Sequence, residues 1–360
     1  MSSLKESPKA RTLCAVSISD YLNMVKKQLE EQPIFQNAGM MKLKAPSTLY
    51  LEVTKRCGLH CKHCYSPKNT NTEFSFSEIE HIAHQCAKLG IFKVVLGGSE
   101  TVLHKNFMGV VNIFSSNEIL VDLTFSGFVS NQKLFEVKEI CKQSKIATVQ
   151  ISLDSHIPSV HDEIRGMRGA WSRAINAIQN LGEHVPIVVA TLLNILNVSK
   201  LEEHCYLLSK LPIKTLSILR QRGIAGQNFS PTTLFDIYTS LLDYDRYFKF
   251  GITAHDPLFE TLKTKPCNCC TAGISSMAIS CAQHAYSCPF LYSYDDYYVP
   301  YKDNILTVWN LLRREYEIPS QCKNCKHVKH CLGGCPALRV NNMPDPLCWH
   351  IQRGSQDGKS

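Results

Sequence analysis

No apolar run in this 360-residue chain approaches the ~20 residues that a bilayer-spanning helix needs, so membrane insertion is not expected. The opening stretch, residues 1–11, is polar and lacks an apolar core, which argues against a secretory signal and for the cytoplasm. There is also no dense arginine block and no basic stripe interleaved with aromatics. The net charge of +8 therefore reads as a solvated surface with scattered lysines, and no nucleic-acid partner is expected. Charged residues make up only 19% of the chain and hydrophobic residues 44%, the balance of an ordinary water-soluble core. The length suits one large domain and a smaller one.

Cysteine is abundant. There are 17, and their placement is uneven. Three lie in one loop (Cys57, Cys61, Cys64) and ten fall between Cys267 and Cys348. Only Cys14, Cys86, Cys141 and Cys205 lie elsewhere, and they read as buried structural thiols. An extracellular disulfide framework would need export, for which there is no signal. Clustered thiolates in a reducing compartment point to metal.

The loop reads Cys57-Gly58-Leu59-His60-Cys61-Lys62-His63-Cys64, a C-x3-C-x2-C spacing. It supplies three thiolates where a [4Fe-4S] cluster normally takes four, so one iron stays open to chelate a small molecule and pass it an electron. Zinc is the alternative, with His60 or His63 as fourth ligand.

After an extension over residues 1–45, with one amphipathic helix expected around 19–31, short Val/Ile/Leu-rich segments alternate with helical ones. Strands are expected at 48–54, 93–96, 121–125, 149–153, 187–193 and 215–219. Helices are expected at 77–89, opened by a serine cap and closed at Gly90, and at 107–115, 132–143, 170–181 and 200–210. Repeated βα order implies an α/β fold with a parallel sheet and right-handed crossovers. The countable units are six, short of the eight of a closed barrel. The expected organisation is a barrel-like domain at 46–230, a bridging helical region at 231–264, a cysteine-rich domain at 265–350 and a tail at 351–360.

The three-cysteine loop resembles the cluster loop of radical S-adenosylmethionine (radical SAM) enzymes, whose partial (β/α)6 barrel matches the six units. The resemblance extends over about residues 45–350. It implies that SAM is chelated by the open iron and cleaved reductively to a 5'-deoxyadenosyl radical. Gly97-Gly98-Ser99-Glu100-Thr101, after the second strand, resembles the family's GGxEP-type motif, with Thr101 in place of the usual proline. It implies that Gly97, Gly98 and Glu100 bind the amino group of SAM. The fourth strand and the following loop resemble the family's SLD strand and HDxxRG loop. They make Ser152 a candidate for the ribose and Arg165 a candidate for the SAM carboxylate, by fork geometry. A surface ion pair with Asp162 or Glu163 is the alternative for Arg165. Tyr65 is placed near adenine, or else in simple core packing. His156 and His161 stay unassigned, and no catalytic residue is named.

The carboxy-terminal cysteines resemble the SPASM module, which carries auxiliary clusters in many peptide-modifying members. Cys322-x2-Cys325-x5-Cys331-x3-Cys335 fits its pattern without adjustment, as does a last Cys348. Cys270 and Cys288-Pro289 fit the first part, with Gln283 where a glycine is expected. By this resemblance Cys322, Cys325, Cys331 and Cys348 hold one cluster. Cys270, Cys288 and Cys335 hold the other, with Cys267, Cys269, Cys281 or no residue as fourth ligand. Extra clusters offer an exit for an electron when a substrate is oxidised.

The expected activity is thus a radical SAM/SPASM oxidoreductase acting on a peptide or protein substrate, with crosslinking of a ribosomally made peptide as the leading reading. It would take its reducing electron from a donor such as flavodoxin or ferredoxin. A peptide epimerase, with one of the scattered cysteines as hydrogen donor, a sulfatase-type maturase and a cofactor- or tetrapyrrole-biosynthesis enzyme are the alternatives within the class. An iron-sulfur electron-transfer protein is the alternative outside it.

Overall fold

The computed structural model describes residues 43–66, 70–222, 229–264, 270–292, 298–312, 318–339 and 343–351. The expected helix around 19–31, Cys14, Cys267, Cys269 and most of the tail lie outside them.

Six βα-type strands form in the expected order: β1 (Thr48–Glu52), β2 (Lys93–Leu96), β3 (Leu120–Phe125), β4 (Ile146–Ser152), β5 (Ile187–Leu193) and β6 (Thr215–Arg220). Each pairs in parallel with the next. Their apolar side chains, such as Leu49, Val94, Leu123, Ile151, Val189 and Ile218, are fully buried, as strands covered on both faces require. Between them run α1 (Phe76–Leu89), α2 (Phe107–Ser116), α3 (Asn131–Gln143), α4 (Pro158–Arg165), α5 (Ala170–Leu181) and α6 (Leu201–Leu208). Cys86, Cys141 and Cys205 sit in this hydrophobic core.

Local chemistry sets the helix ends. The cap of α1 is Ser75 rather than Ser77. Its hydroxyl accepts from the Glu78 amide at 3.3 Å and the Glu78 carboxylate accepts from the Ser75 amide at 2.7 Å, a reciprocal capping box. The HDxxRG segment is not a loop. Residues 158–165 form α4, with Pro158 in its first turn.

The sheet does not stop at six strands. Helix α7 (Pro231–Tyr247) leads into β7 (Gly251–Ala254), which extends the sheet beside β6, so the region expected to bridge by helix alone also supplies a strand. From within the cysteine-rich segment, β8 (Ser276–Ser280) pairs in parallel with β1, and a hairpin adds β9 (His284–Tyr286) and β10 (Val299–Pro300). The order β10-β9-β8-β1-β2-β3-β4-β5-β6-β7 leaves the sheet open, a partial barrel.

Gln283 turns the β8–β9 hairpin at φ 62, the left-handed conformation that a glycine adopts without strain. The hairpin forms all the same, tied by the Gln283 side-chain amide to Glu78 at 2.9 Å and by its carbonyl to the Tyr301 amide at 2.8 Å. Behind it, α8 (Pro257–Glu260), α9 (Ile305–Leu312) and α10 (Val328–Cys331) complete the described elements. The buried Trp309 of α9 donates to the Leu43 carbonyl at 3.2 Å, and Gln85 of α1 accepts from the Ile305 amide at 2.9 Å. Among the described residues no helix is long and apolar enough to cross a membrane.

Candidate functional site

The polar residues collect where parallel strands put them, beyond the carboxyl ends. The three-cysteine loop follows β1, Gly97 and Gly98 follow β2, Ser126 follows β3, Asp154 follows β4, and Asp256 follows β7.

Gly97 and Gly98 make a tight cradle. A Cβ on Gly97 would lie 2.1 Å from the Thr124 hydroxyl oxygen. Gly98 stands at φ +102, and a Cβ there would lie 2.8 Å from Glu52 Cγ. Glu52 is itself fully buried. It pairs with Lys55 at 2.5 Å and accepts from the hydroxyls of Ser66 at 2.5 Å and Ser99 at 3.2 Å. Glu100 is buried, and its carboxylate accepts from the Ser126 amide at 3.2 Å and from the Ser126 hydroxyl. Burial pushes Glu100 up to about 7, with the Ser126 contacts and the charge of Arg165 opposing it.

The Arg165 fork is already engaged. Its Nε donates to Asp154 Oδ2 at 2.6 Å and its Nη2 to Asp154 Oδ1 at 3.0 Å. It pairs with neither Asp162 nor Glu163. The Asp162 carboxylate instead accepts from the amides of Gly169 and Trp171, capping the turn into α5. The Arg165 carbonyl accepts from the His60 amide at 3.1 Å, so α4 holds the cysteine loop. Ser152 ends β4, half-buried and in register with Ala190.

Within the loop, burial pushes the Cys57 thiol up to about 12, with Glu100 next and smaller pushes from Cys61 and Cys64. Burial also raises Cys61, which the charge of Arg165 opposes. Thiols held protonated in this way become thiolates when iron supplies the compensating charge, so the donor set fits a cluster. Among the described residues, no three His, Cys, Asp or Glu side chains converge as they would on a single metal ion. An iron-sulfide cube holds its thiolates farther apart than one ion does.

The structure gathers the carboxy-terminal cysteines in two groups. Cys322 feels Cys348 and Cys325, and Cys331 and Cys348 likewise share charge neighbours, after burial has raised each of them. Cys288 feels Cys270 and Cys335. The chain turns sharply between Cys331 and Cys335, where Gly333 and Gly334 take φ +85 and +96, and a Cβ on Gly334 would lie 2.2 Å from Asp345 Cβ. That turn sends adjacent cysteines to different groups. Cys281 joins neither: its thiol donates to the Thr72 carbonyl at 3.5 Å, and its charged neighbours are Glu52, Lys55 and Glu73.

Tyr65 has partners that its sequence position does not announce. Its ring meets Phe290 edge-on at 5.2 Å and Tyr292 at 5.9 Å, both from the segment just after Cys288. The two cysteine regions thus meet through one aromatic cluster. Sequence reasoning also missed Glu52, Ser126, Asp154 and a buried network at the end of β6. There Arg220 forms an ion pair with Asp256 at 2.7 Å and donates to Asp345 at 3.1 Å.

Residues 51–208 match the family model of the Radical SAM superfamily. Mycofactocin maturase MftC of Mycobacterium tuberculosis is 28% identical over 341 residues, covering 85% of this chain and 83% of that protein. The sporulation killing factor maturation protein SkfB of Bacillus subtilis is 30% identical over 183 residues, covering 49% of this chain and 43% of that protein. The crystal structure of Streptococcus suis SuiB bound to precursor peptide SuiA superimposes with a TM-score of 0.71 at 15% identity, covering 96% of this chain and 85% of the other, a likeness of fold.

Proposed function

We propose that the chain is a peptide-modifying member of the radical SAM superfamily, with a SPASM-type module, that oxidises a ribosomally made peptide, most simply by crosslinking it. The observation that carries this reading is the aromatic contact of Tyr65, directly after the first cysteine loop, with Phe290 and Tyr292, directly after Cys288. A plain electron-transfer protein would have no use for the glycine cradle and buried carboxylate at the barrel mouth. The maturase names of MftC and SkfB, and the peptide bound to SuiB, support a peptide substrate.

In this reading Cys57, Cys61 and Cys64 hold the first [4Fe-4S] cluster. SAM held there would supply, on one-electron reduction, the hydrogen-abstracting chemistry of a 5'-deoxyadenosyl radical. Gly97 and Gly98 let the backbone approach SAM, and Glu100 accepts from its amino group. Arg165, oriented by Asp154, sets positive charge beside Cys61 where the SAM carboxylate would lie, and Ser152 faces the ribose. Tyr65 serves as a wall of the site, braced by Phe290 and Tyr292. Cys322, Cys325, Cys331 and Cys348 hold one auxiliary cluster. Cys270, Cys288 and Cys335 hold the other, without Cys281. Clusters held by these cysteines would offer an exit for the electron that oxidation of the peptide releases. A flavodoxin or ferredoxin in the reducing cytoplasm supplies the first electron.

The test is anaerobic co-expression with candidate short precursor peptides, followed by mass measurement. Crosslinking predicts loss of a hydrogen pair, retained after thiol alkylation. An unchanged mass with inverted residues would replace this reading by epimerisation.

A further inference from the structure

Arg222 lies two residues beyond β6, and its side chain is only 4% exposed. Its Nη2 donates to the His255 carbonyl at 2.6 Å. Its Nε and Nη1 make no hydrogen bond among the described residues, and the nearest carboxylate oxygen, on Asp256, stands 3.8 Å from Nη1. Buried donors of this kind are costly unless something accepts from them.

Asp256 has little to give. It already forms an ion pair with Arg220 at 2.7 Å and accepts from the Tyr238 hydroxyl at 2.8 Å and the Leu258 amide at 2.9 Å. Arg220 also holds Asp345, whose carboxylate accepts from the amides of Leu347 and Cys335. Arg220, Asp256 and Asp345 therefore close on one another and leave Arg222 as the loosely paired cation.

Its position gives that charge a target. The guanidinium carbon lies 5.2 Å from the centroid of the Phe290 ring. Phe290 packs in the same small core as Cys288 and Cys335.

We propose that Arg222 tunes the auxiliary cluster held by Cys270, Cys288 and Cys335, directing unpaired donors and a positive charge at its sulfur atoms and so raising its reduction potential. Reduction adds negative charge to a cluster, and a fixed cation at short range in a buried site favours the reduced form. An auxiliary cluster with a raised potential accepts an electron from an oxidising peptide more readily. The inference rests on the assignment of that cluster to these three cysteines, and the experiment separates the two.

The full chain, reconstituted anaerobically with iron and sulfide, is titrated potentiometrically with dithionite while the spectrum of each cluster is followed. Cys288→Ala identifies the signal in question by removing it with its share of iron. If it removes nothing, the ligand assignment fails. With the signal identified, Arg222→Gln is expected to shift its midpoint potential downward and leave the SAM-binding cluster in place, while Arg222→Lys stays nearer the parent. Should Gln impair cluster loading, Arg222→Met, which keeps the volume against Phe290, is read in its place with the same outcomes. A loaded Gln or Met variant with the parent potential overturns the inference, and so does a Lys variant that falls as far as Gln.

Discussion

Arg165 and Asp154 form a bidentate pair, 2.6 Å from Nε to Oδ2 and 3.0 Å from Nη2 to Oδ1, with the carboxylate fully buried. Asp154 also accepts from the Leu192 amide at 3.0 Å, so one carboxylate ties the end of β4 to both α4 and β5. Asp154→Ala leaves a buried guanidinium without its partner. The expected loss is about 3–5 kcal/mol of stability, measured by denaturant unfolding of the anaerobic protein. Burial alone would raise this carboxyl, but Arg165, His161 and His63 together hold it below its ordinary value of 3.8. Its contribution is therefore complete above that value and is lost as pH falls through the lower folded one. Acid unfolding of the Asp154→Ala variant should lack that component.

Glu100 behaves in the opposite sense. Its carboxyl, raised to about 7, is largely protonated below that pH and is then a poor acceptor for the amino N–H of SAM. SAM binding should tighten as pH rises through about 7, with proton release, and Glu100→Gln should bind weakly with a flat profile. Calorimetric titration of the reconstituted enzyme in two buffers reads both effects.

The cradle should tolerate no side chain. Gly98→Ala would combine φ +102 with a 2.8 Å approach to Glu52. It is expected to cost about 1–3 kcal/mol of stability and to weaken SAM binding, as measured by unfolding and by equilibrium dialysis.

Much of this arrangement is legible in the order of residues alone, and the gaps have physical reasons. Segments such as 93–96 and 187–193 stand out because parallel strands buried on both faces must be short and apolar. The cysteine groups are legible because thiolate ligands come at narrow spacings. Residues 158–165 are not, because a proline followed by His, Asp and Glu looks like a polar loop, and only the burial of His161, Ile164 and Arg165 on one face reveals a helix. Strand β8 is hidden for another reason: its pairing with β1 joins Thr48 to Ser276, which no local pattern encodes. The Asp154–Arg165 pair likewise joins a strand end to a helix end.

The cysteines near β8 and β9 separate cleanly. Cys281 bonds the Thr72 carbonyl, while Cys288 lies among Cys270 and Cys335. Cys281→Ala should keep the full iron content and Cys288→Ala should lose about one cluster's share, as measured by iron and sulfide analysis after reconstitution. Equal loss in both would place Cys281 among the ligands.

The most direct measurement is the fate of SAM. Reconstituted enzyme, reduced with dithionite and given SAM, should form 5'-deoxyadenosine and methionine. Cys61→Ala, which removes one of the three loop thiols, should form neither. Parent enzyme that loads iron but leaves SAM intact, or a Cys61→Ala variant that cleaves it at the parent rate, would contradict the account.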